Sequence, residues 1–133
     1  MNEIVVSGKR KTSVAKATIK EGSGEIVINK KLISFLPKLQ QLEINEPLVL
    51  AKQVLGDLKF NVDVNVRGGG IASRIEACRL AIAKAIVEFT KNDDVKNVFL
   101  AYDRNMLIAD TRRKEAYKPG DSKARSMRQS SKR

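Results

Sequence analysis

The 133-residue sequence contains no histidine and no tryptophan, and it has a single cysteine. The absence of histidine excludes an imidazole general base and every zinc or haem site that needs a histidine ligand. The lone Cys78 excludes an internal disulfide and is compatible with a reducing compartment. Aromatic residues make up only 5% of the chain, so its core must be built from aliphatic side chains.

Long apolar runs are also missing. No stretch approaches the roughly 18–20 residues that span a bilayer, and the residues after Met1 do not resemble a signal peptide. The length, together with 42% hydrophobic residues, predicts one domain with a modest core. We therefore expect a soluble intracellular protein rather than a multidomain enzyme or a disordered chain.

The charge is strongly one-sided, with 26 Lys and Arg against 15 Asp and Glu, a formal net charge of +11. Residues 111–133 hold nine basic and two acidic residues, a net charge of +7. They have too few apolar side chains to offset an ordering cost of about 1–2 kcal/mol per residue. This predicts a folded domain over residues 1–110 and an extended basic tail over residues 111–133. Either the tail orders on a polyanion, or it is a solvated segment with no specific role.

Hydrophobic periodicity predicts a mixture of strands and helices. We expect strands at residues 3–7 and 13–20, separated by the basic loop Gly8–Thr12. The Gly22-Ser23-Gly24 turn predicts that the second strand forms a hairpin with residues 25–29. Further elements are predicted as a helical turn at 31–36, helices at 46–55, 71–89 and 92–100, a strand at 59–67 and an extended segment at 105–109. The mixture predicts a two-layer α+β domain.

The sequence offers no catalytic group. Cys78 lies on the apolar stripe of the 71–89 helix, which predicts a buried side chain rather than a nucleophile. Asp93 and Asp94 are typical of the acidic first turn of a helix, and no acidic cluster has the spacing of a calcium loop. We therefore predict no catalytic residue, no metal site and no cofactor.

Two glycine-containing motifs are candidates for phosphate contact. Gly8-Lys9-Arg10-Lys11-Thr12 lacks the second glycine of a Walker loop and leads into a strand, so we expect a cationic loop that meets a nucleic-acid backbone. Arg67-Gly68-Gly69-Gly70 joins a strand to a helix, where glycine lets a phosphate approach the main chain. Ser73 stands where a dinucleotide fingerprint needs glycine. The alternatives are that this motif is a plain turn and that Arg74 is a solvated edge residue.

Three parts of the chain, taken in order, resemble one family. They are Gly8 to Ala15, then Gly68-Gly69-Gly70 followed by Ala77, Ala81, Ala83, Lys84 and Ala85, and finally Lys118-Pro119-Gly120, Ala124-Arg125 and Ser131-Lys132-Arg133. Together they cover essentially the whole chain and resemble the small ribosomal subunit protein 9 family. Two positions depart from its pattern: Arg74 replaces a usual glutamine, and Thr111 replaces the proline of the archaeal and eukaryotic branch. The Asp110-Thr111-Arg112-Arg113 element nevertheless looks more archaeal than bacterial.

The resemblance implies a fold like the second domain of small-subunit ribosomal protein 5, with a left-handed βαβ crossover where general rules predict a right-handed one. It implies a structural constituent of the small-subunit head in cytoplasmic ribosomes, whose partners are small-subunit rRNA, peptidyl-site tRNA and neighbouring ribosomal proteins. No enzymatic activity, membrane partner or homo-oligomer is expected.

Carried over by position, the resemblance assigns contacts with the tRNA anticodon stem-loop to Arg133 and Lys132. The predicted rRNA-binding residues combine the two motifs with the basic tail: Lys9, Arg10, Lys11, Arg67, Gly68, Gly69, Gly70, Arg74, Arg112, Arg113, Lys114, Lys118, Lys123, Arg125 and Arg128.

Two rival classes stay open on the sequence alone. A free nucleic-acid chaperone or DNA-binding protein would explain the basic tail equally well. A phosphotransfer or nucleotide-binding enzyme would need a nucleotide motif that the chain lacks.

Overall fold

A computed structural model of the chain describes residues 3–112. In this part, one sheet is accompanied by three α-helices and two short 3-10 helices. The strands are β1 (Ile4–Arg10), β2 (Ser13–Glu21), β3 (Ile26–Ile28), β4 (Lys31–Leu32) and β5 (Phe60–Arg67). The helices are α1 (Lys38–Leu55), α2 (Ile71–Thr90) and α3 (Asp93–Tyr102), and the 3-10 helices are Ile33–Phe35 and Arg104–Met106.

The sheet has the strand order β1-β2-β5-β3-β4. The predicted hairpin between residues 13–20 and 25–29 is therefore wrong, because β5 lies between β2 and β3, antiparallel to the first and parallel to the second. The inward residues of β5 are all buried: Phe60, Val62, Val64 and Val66. In this central position, β5 forms backbone hydrogen bonds along both of its edges. These hydrogen bonds and the burial of its inward residues outweigh the preference of the Gly22-Ser23-Gly24 segment for a tight turn.

The segment between β2 and β3 crosses the start of β5 instead of closing a hairpin. Oδ1 of Asn61 accepts hydrogen bonds from the backbone N–H groups of Ser23, Gly24 and Glu25 at 3.0, 3.1 and 2.9 Å. Gly22 lies directly over the Asn61 side chain, with which an added Cβ would collide. The glycines that suggested a tight turn therefore allow a close crossing.

The helices cover one face of the sheet. Alternate residues of β2 and β5 are buried on that face, and those of β1 are buried or half-buried there. The residues between them point to the opposite face, here called the open face. Helix α2 contacts β1, β2 and β5 directly, and α1 packs along α2 and α3. The approach of α2 to β1 is so close that a Cβ added at Gly8 would lie 2.5 Å from the Ala77 carbonyl oxygen. This arrangement confirms the predicted two-layer α+β fold.

Helix α1 differs from its prediction at its start. The helix predicted at 46–55 would have Pro47 in its first turn. The observed helix begins at Lys38, directly after Pro37, so Pro47 lies inside it. An internal proline costs about 3 kcal/mol. Pro47 is nevertheless buried together with Ile44 on the face that packs against the core, and this burial offsets the cost. Since β3 and β5 are parallel, α1 lies within a βαβ unit, whose left-handed crossover stays a prediction.

Several smaller elements also test the sequence reading. The predicted helical turn at 31–36 is β4 followed by a 3-10 helix, and the extended segment predicted at 105–109 begins within a second 3-10 helix. The strand predicted at 59–67 and the helices predicted at 71–89 and 92–100 are confirmed as β5, α2 and α3. Asp93 and Asp94 do form the first turn of α3.

Candidate nucleic-acid interface

The two glycine-containing motifs meet at one end of the sheet. A two-residue turn joins β1 to β2, with Arg10 paired to Ser13. The Gly68 carbonyl oxygen accepts hydrogen bonds from Ser13 Oγ at 2.8 Å and from Arg74 Nε at 2.9 Å. Ser13 is fully buried, so this bond satisfies its hydroxyl group. Two motifs far apart in the chain therefore form one structural unit.

Contact between the two turns explains two of the three glycines. Gly68 and Gly69 have φ angles of +79° and +66°. A Cβ at Gly68 would lie 2.6 Å from the Thr12 carbonyl oxygen, and one at Gly69 would collide with Ser13 Oγ. Gly70 has extended backbone and open space around its Cα. The turn thus requires glycine at two positions whether or not a phosphate binds, and the predicted phosphate contact stays a prediction.

The predicted basic loop Gly8–Thr12 is wrong as a single unit, because its first three residues belong to β1. Successive side chains of a strand point to opposite faces. Lys9 is exposed on the open face, whereas Arg10 faces α2 and is 15% exposed. Arg10 Nε donates a hydrogen bond to Glu76 at 2.6 Å, so a phosphate at Arg10 would have to displace a carboxylate.

The open face is basic at the end where β1 and β2 meet. The residues that line a shallow groove there, here called the basic groove, are Val14, Lys16, Asn29, Lys30, Asn65, Val66 and Arg67. None of these described residues is acidic. Lys9 and Arg67 flank Val14, because both pair with it across the sheet.

The other end of the open face has a different character. The depression there is lined by Glu3, Glu25 and Asp63, with Lys20 beside them. Because the charge changes along the strands, the potential across this face attracts a polyanion to the basic groove and repels it from the opposite end.

Asn29 fixes the side of the basic groove that is formed by the β3–β4 turn. Asn29 and Lys30 form the β3–β4 turn with φ angles of 49° and 66°. The Asn29 side chain accepts a hydrogen bond from the Val66 N–H at 2.9 Å and donates one to the Val66 carbonyl oxygen at 3.3 Å. These two bonds hold Lys30 beside Arg67.

Sequence reasoning missed Lys16 and Lys30. A signal existed for Lys16, because it alternates with Ala15 and Ala17 and must therefore face away from the core. None existed for Lys30, because its place depends on the parallel pairing of β3 with β5.

An ion-pair cluster lies where the described chain ends. Asp110 accepts hydrogen bonds from the Arg112 side chain, the shortest at 2.8 Å, and from the Arg112 backbone N–H at 3.0 Å. These bonds lower the pKa of Asp110, aided by the Arg10 charge at 3.6 Å. The same bonds and the charge of Asp110 raise the pKa of Arg112. Arg112 is 79% exposed, but a phosphate at its guanidinium would compete with Asp110.

A second ion-pair cluster surrounds Arg79. Its guanidinium pairs with Glu46 at 2.5 Å and with Asp103 at 3.3 Å. Asp103 and Asp110 thus act as partners of arginines. Within residues 3–112, no group of three or more cysteine, aspartate or glutamate residues is arranged so that it could hold a metal ion.

Other predicted residues divide into those the structure places and those outside its described range. Cys78 is fully buried in α2, and burial raises the pKa of its thiol to about 12. None of the helices in residues 3–112 is long and apolar enough to cross a bilayer.

The predicted tail contacts lie outside the described residues: Arg113, Lys114, Lys118, Lys123, Arg125, Arg128, Lys132 and Arg133.

Comparison with known proteins shows the family to which the chain belongs. Residues 8–133 match the family described as ribosomal protein S9/S16. The chain is 47% identical over 123 residues to small ribosomal subunit protein uS9 of Methanococcus maripaludis strain C5, covering 92% of this chain and 90% of that protein. The corresponding protein of Methanococcus vannielii is 46% identical over the same shares. The chain therefore belongs to the ribosomal protein S9/S16 family.

Proposed function

We propose that the chain is a structural constituent of the small ribosomal subunit, without enzymatic activity, that binds small-subunit rRNA through the basic end of its open sheet face. Membership of a ribosomal protein family supports the general role. The observation that carries the interface is the basic groove, in which Lys16, Lys30 and Arg67 lie together among uncharged neighbours. Lys9 and Lys11 extend this positive surface toward the β1–β2 turn.

The physics of RNA binding fits such a surface. Phosphate contacts from lysine and arginine supply affinity without reading base edges. A flat sheet face with dispersed cations suits the backbone of a folded RNA better than a deep pocket would. The exposed Asn29 and Asn65 add amide groups that can donate to phosphate or ribose oxygens.

The basic tail has a different proposed role. We assign residues 1–110 to the folded domain and residues 111–133 to an extended arm in the subunit head of cytoplasmic ribosomes. The arm's net charge of +7 supports contact with RNA along its length. Its last residues, Lys132 and Arg133, contact the backbone of the anticodon stem-loop of peptidyl-site tRNA, a contact independent of anticodon sequence.

A pair of matched charge variants tests the groove. Lys16→Gln and Lys20→Gln remove the same charge from the same strand and the same face, one in the basic groove and one at the acidic end. In a filter-binding titration with small-subunit rRNA, Lys16→Gln should weaken binding and reduce the salt slope by about 0.7–0.9. Lys20→Gln should leave both nearly unchanged. Equal effects of the two variants would show that the open face is not the interface.

Deleting residues 131–133 tests the tail. The melting temperature of the chain should stay the same, because the core cluster of the described residues lies between Ala15 and Met106. Binding of tRNA to the peptidyl site of reconstituted small subunits should weaken at matched salt. Unaltered tRNA affinity would refute the role of Lys132 and Arg133.

Sedimentation distinguishes the proposed function from the rival hypothesis that the chain is a free nucleic-acid chaperone. In a sucrose gradient of a cell extract, the chain should co-sediment with small subunits. A chain found mainly in the slow fractions would favour the rival and contradict the proposed function.

A further inference from the structure

The outward side of α1 carries three exposed apolar side chains that nothing in residues 3–112 covers. The exposed fractions are 77% for Leu39, 54% for Leu42 and 54% for Val49. Their spacing places them on one side of the helix, opposite the buried Ile44 and Leu48. Phe35, which is 74% exposed, precedes them in the 3-10 helix. A group of exposed apolar side chains on one side of a helix, with polar residues around it, is typical of an interaction site.

The start of this surface is held in a defined shape. Gln41 Nε2 donates hydrogen bonds to the carbonyl oxygens of Ser34 and Leu36 at 3.1 and 2.6 Å. These bonds attach the 3-10 helix to the first turns of α1. We call the set Phe35, Leu39, Leu42 and Val49 the α1 apolar surface.

Acidic groups border the α1 apolar surface on the side that faces α3. Glu43 follows Leu39 by one helical turn, and Glu46 follows Leu42 in the same way. Both glutamates line a cleft together with Glu76, Arg79, Tyr102 and Asp103. Arg79 pairs with Glu46 and Asp103, and Arg10 pairs with Glu76, so three of the four carboxylates of the cleft already have an arginine partner. Glu43 has no ion-pair partner among the described residues.

This combination favours a polypeptide over RNA as the occupant. Carboxylates repel phosphates, and single-stranded bases stack on aromatic side chains flanked by cations. Three of the four residues of the α1 apolar surface are aliphatic, and its charged border toward α3 is acidic. We propose that the α1 apolar surface binds a polypeptide segment of a neighbouring ribosomal protein, one that inserts apolar side chains and places lysine or arginine against Glu43 and the adjoining cleft. The proposal rests on the proposed function, because it needs the chain to be part of the small subunit.

Site-specific photocrosslinking in intact small subunits tests the proposal. The chain is expressed with p-benzoylphenylalanine at position 39, and in a parallel strain at position 14, where the exposed Val14 lines the basic groove. Position 39 should give a crosslink to another ribosomal protein, at a peptide that contains both basic and apolar residues. Position 14 should give a crosslink to rRNA.

The outcomes are distinguishable. A crosslink from position 39 to rRNA, to residues 113–133 of the same chain or to a second copy overturns the proposal, and so does the absence of any crosslink. The rRNA crosslink from position 14 stands or falls independently and reports on the proposed function. If neither tagged chain enters small subunits, both ideas are wrong.

Four further variants, two tests each followed by its control, separate the apolar and the electrostatic parts of the proposed contact. With the photoreactive residue at position 35, Leu39→Ser combined with Leu42→Ser should lower the yield of the protein crosslink about tenfold, as truncation of interface anchors does. The control Val5→Thr alters an apolar residue of similar exposure, 53%, on the open face and should have no effect. Glu43→Lys should also lower the yield, whereas Glu88→Lys, an exposed glutamate of α2, should not. Yields that stay at the parent level in the first and third variants contradict the proposal.

Discussion

Gly69 carries the contact between the β1–β2 turn and the turn before α2. Its positive φ disfavours any side chain by about 1–2 kcal/mol, and an added Cβ would also collide with Ser13 Oγ. Gly69→Ala should therefore lower the free energy of unfolding by at least that amount in urea denaturation. Gly70→Ala is the matched control, because it has extended backbone and open space and should cost clearly less. Equal losses would mean that the collision does not occur.

Asp110 makes a prediction about pH. Its hydrogen bonds with Arg112 lower its pKa, so its carboxylate stays charged below pH 4, where a free aspartate with a pKa of about 3.9 is protonated. The Arg112 Nε–H resonance should keep its position from pH 6 to pH 3 and change only at lower pH. A midpoint near pH 4 would contradict the pair.

The sign of the effect on stability follows from the same shift. A lowered pKa in the folded state stabilises the chain above the unfolded pKa, and this contribution disappears as the pH falls through the folded value. The difference in unfolding free energy between the parent and Asp110→Asn should therefore be constant from pH 5 to pH 7 and shrink below about pH 4.

The crossing between β2 and β3 depends on one side chain of β5. Asn61→Ala removes the acceptor of three backbone N–H groups and should lower the free energy of unfolding by about 1–3 kcal/mol. Asn65→Ala is made on the same strand and the same face, at a position with no side-chain hydrogen bond among the described residues, and should change stability little. Chemical denaturation measures both. Loss of equal stability in the two variants would assign the effect to strand propensity instead.

Elements with a complete local pattern could be predicted from the sequence. The alternation of β5 and the three- and four-residue spacing of α2 specify both the element and its buried face. The position of β5 between β2 and β3 could not be predicted, because it depends on pairing between residues more than 30 positions apart. The position of Pro47 inside α1 could not be predicted for the same reason. A proline destabilises a helix interior locally, and the burial that offsets this cost is known only from the folded structure.

The residues of the candidate interface were likewise predictable only where a local motif contains them. Lys9 and Arg67 were found because each belongs to a motif with its own local signal. Their proximity to Lys16 and Lys30 arises from sheet register and had no such signal. The sequence also did not show that Arg10 and Arg74 donate hydrogen bonds within the protein. Their acceptors, Glu76 and the Gly68 carbonyl oxygen, are identified only in the folded chain.

At the scale of the whole molecule, most of the net positive charge lies in residues 111–133, whereas the core cluster of the described residues lies before them. A chain ending at Arg112 lacks eight basic and two acidic residues of the full sequence but retains the entire core cluster. It should unfold at the same temperature as the full chain. Its affinity for small-subunit rRNA should fall, with a salt slope reduced by about 0.7–0.9 for every phosphate that the tail neutralises in the full chain. An unchanged slope, measured by the same filter-binding titration, would show that the tail neutralises no phosphates.

The central place of β5 has a consequence for the order of events during synthesis. A nascent chain that has reached Leu58 already contains β2 and β3, but each still presents a vacant edge toward the absent strand. Vacant edges are templates for mispairing between chains, and long-range pairing is slow to form. The pairs β1–β2 and β3–β4 can form before β5 is made, but the edges of β2 and β3 that face β5 stay unpaired until the chain up to Arg67 has left the ribosome's exit tunnel.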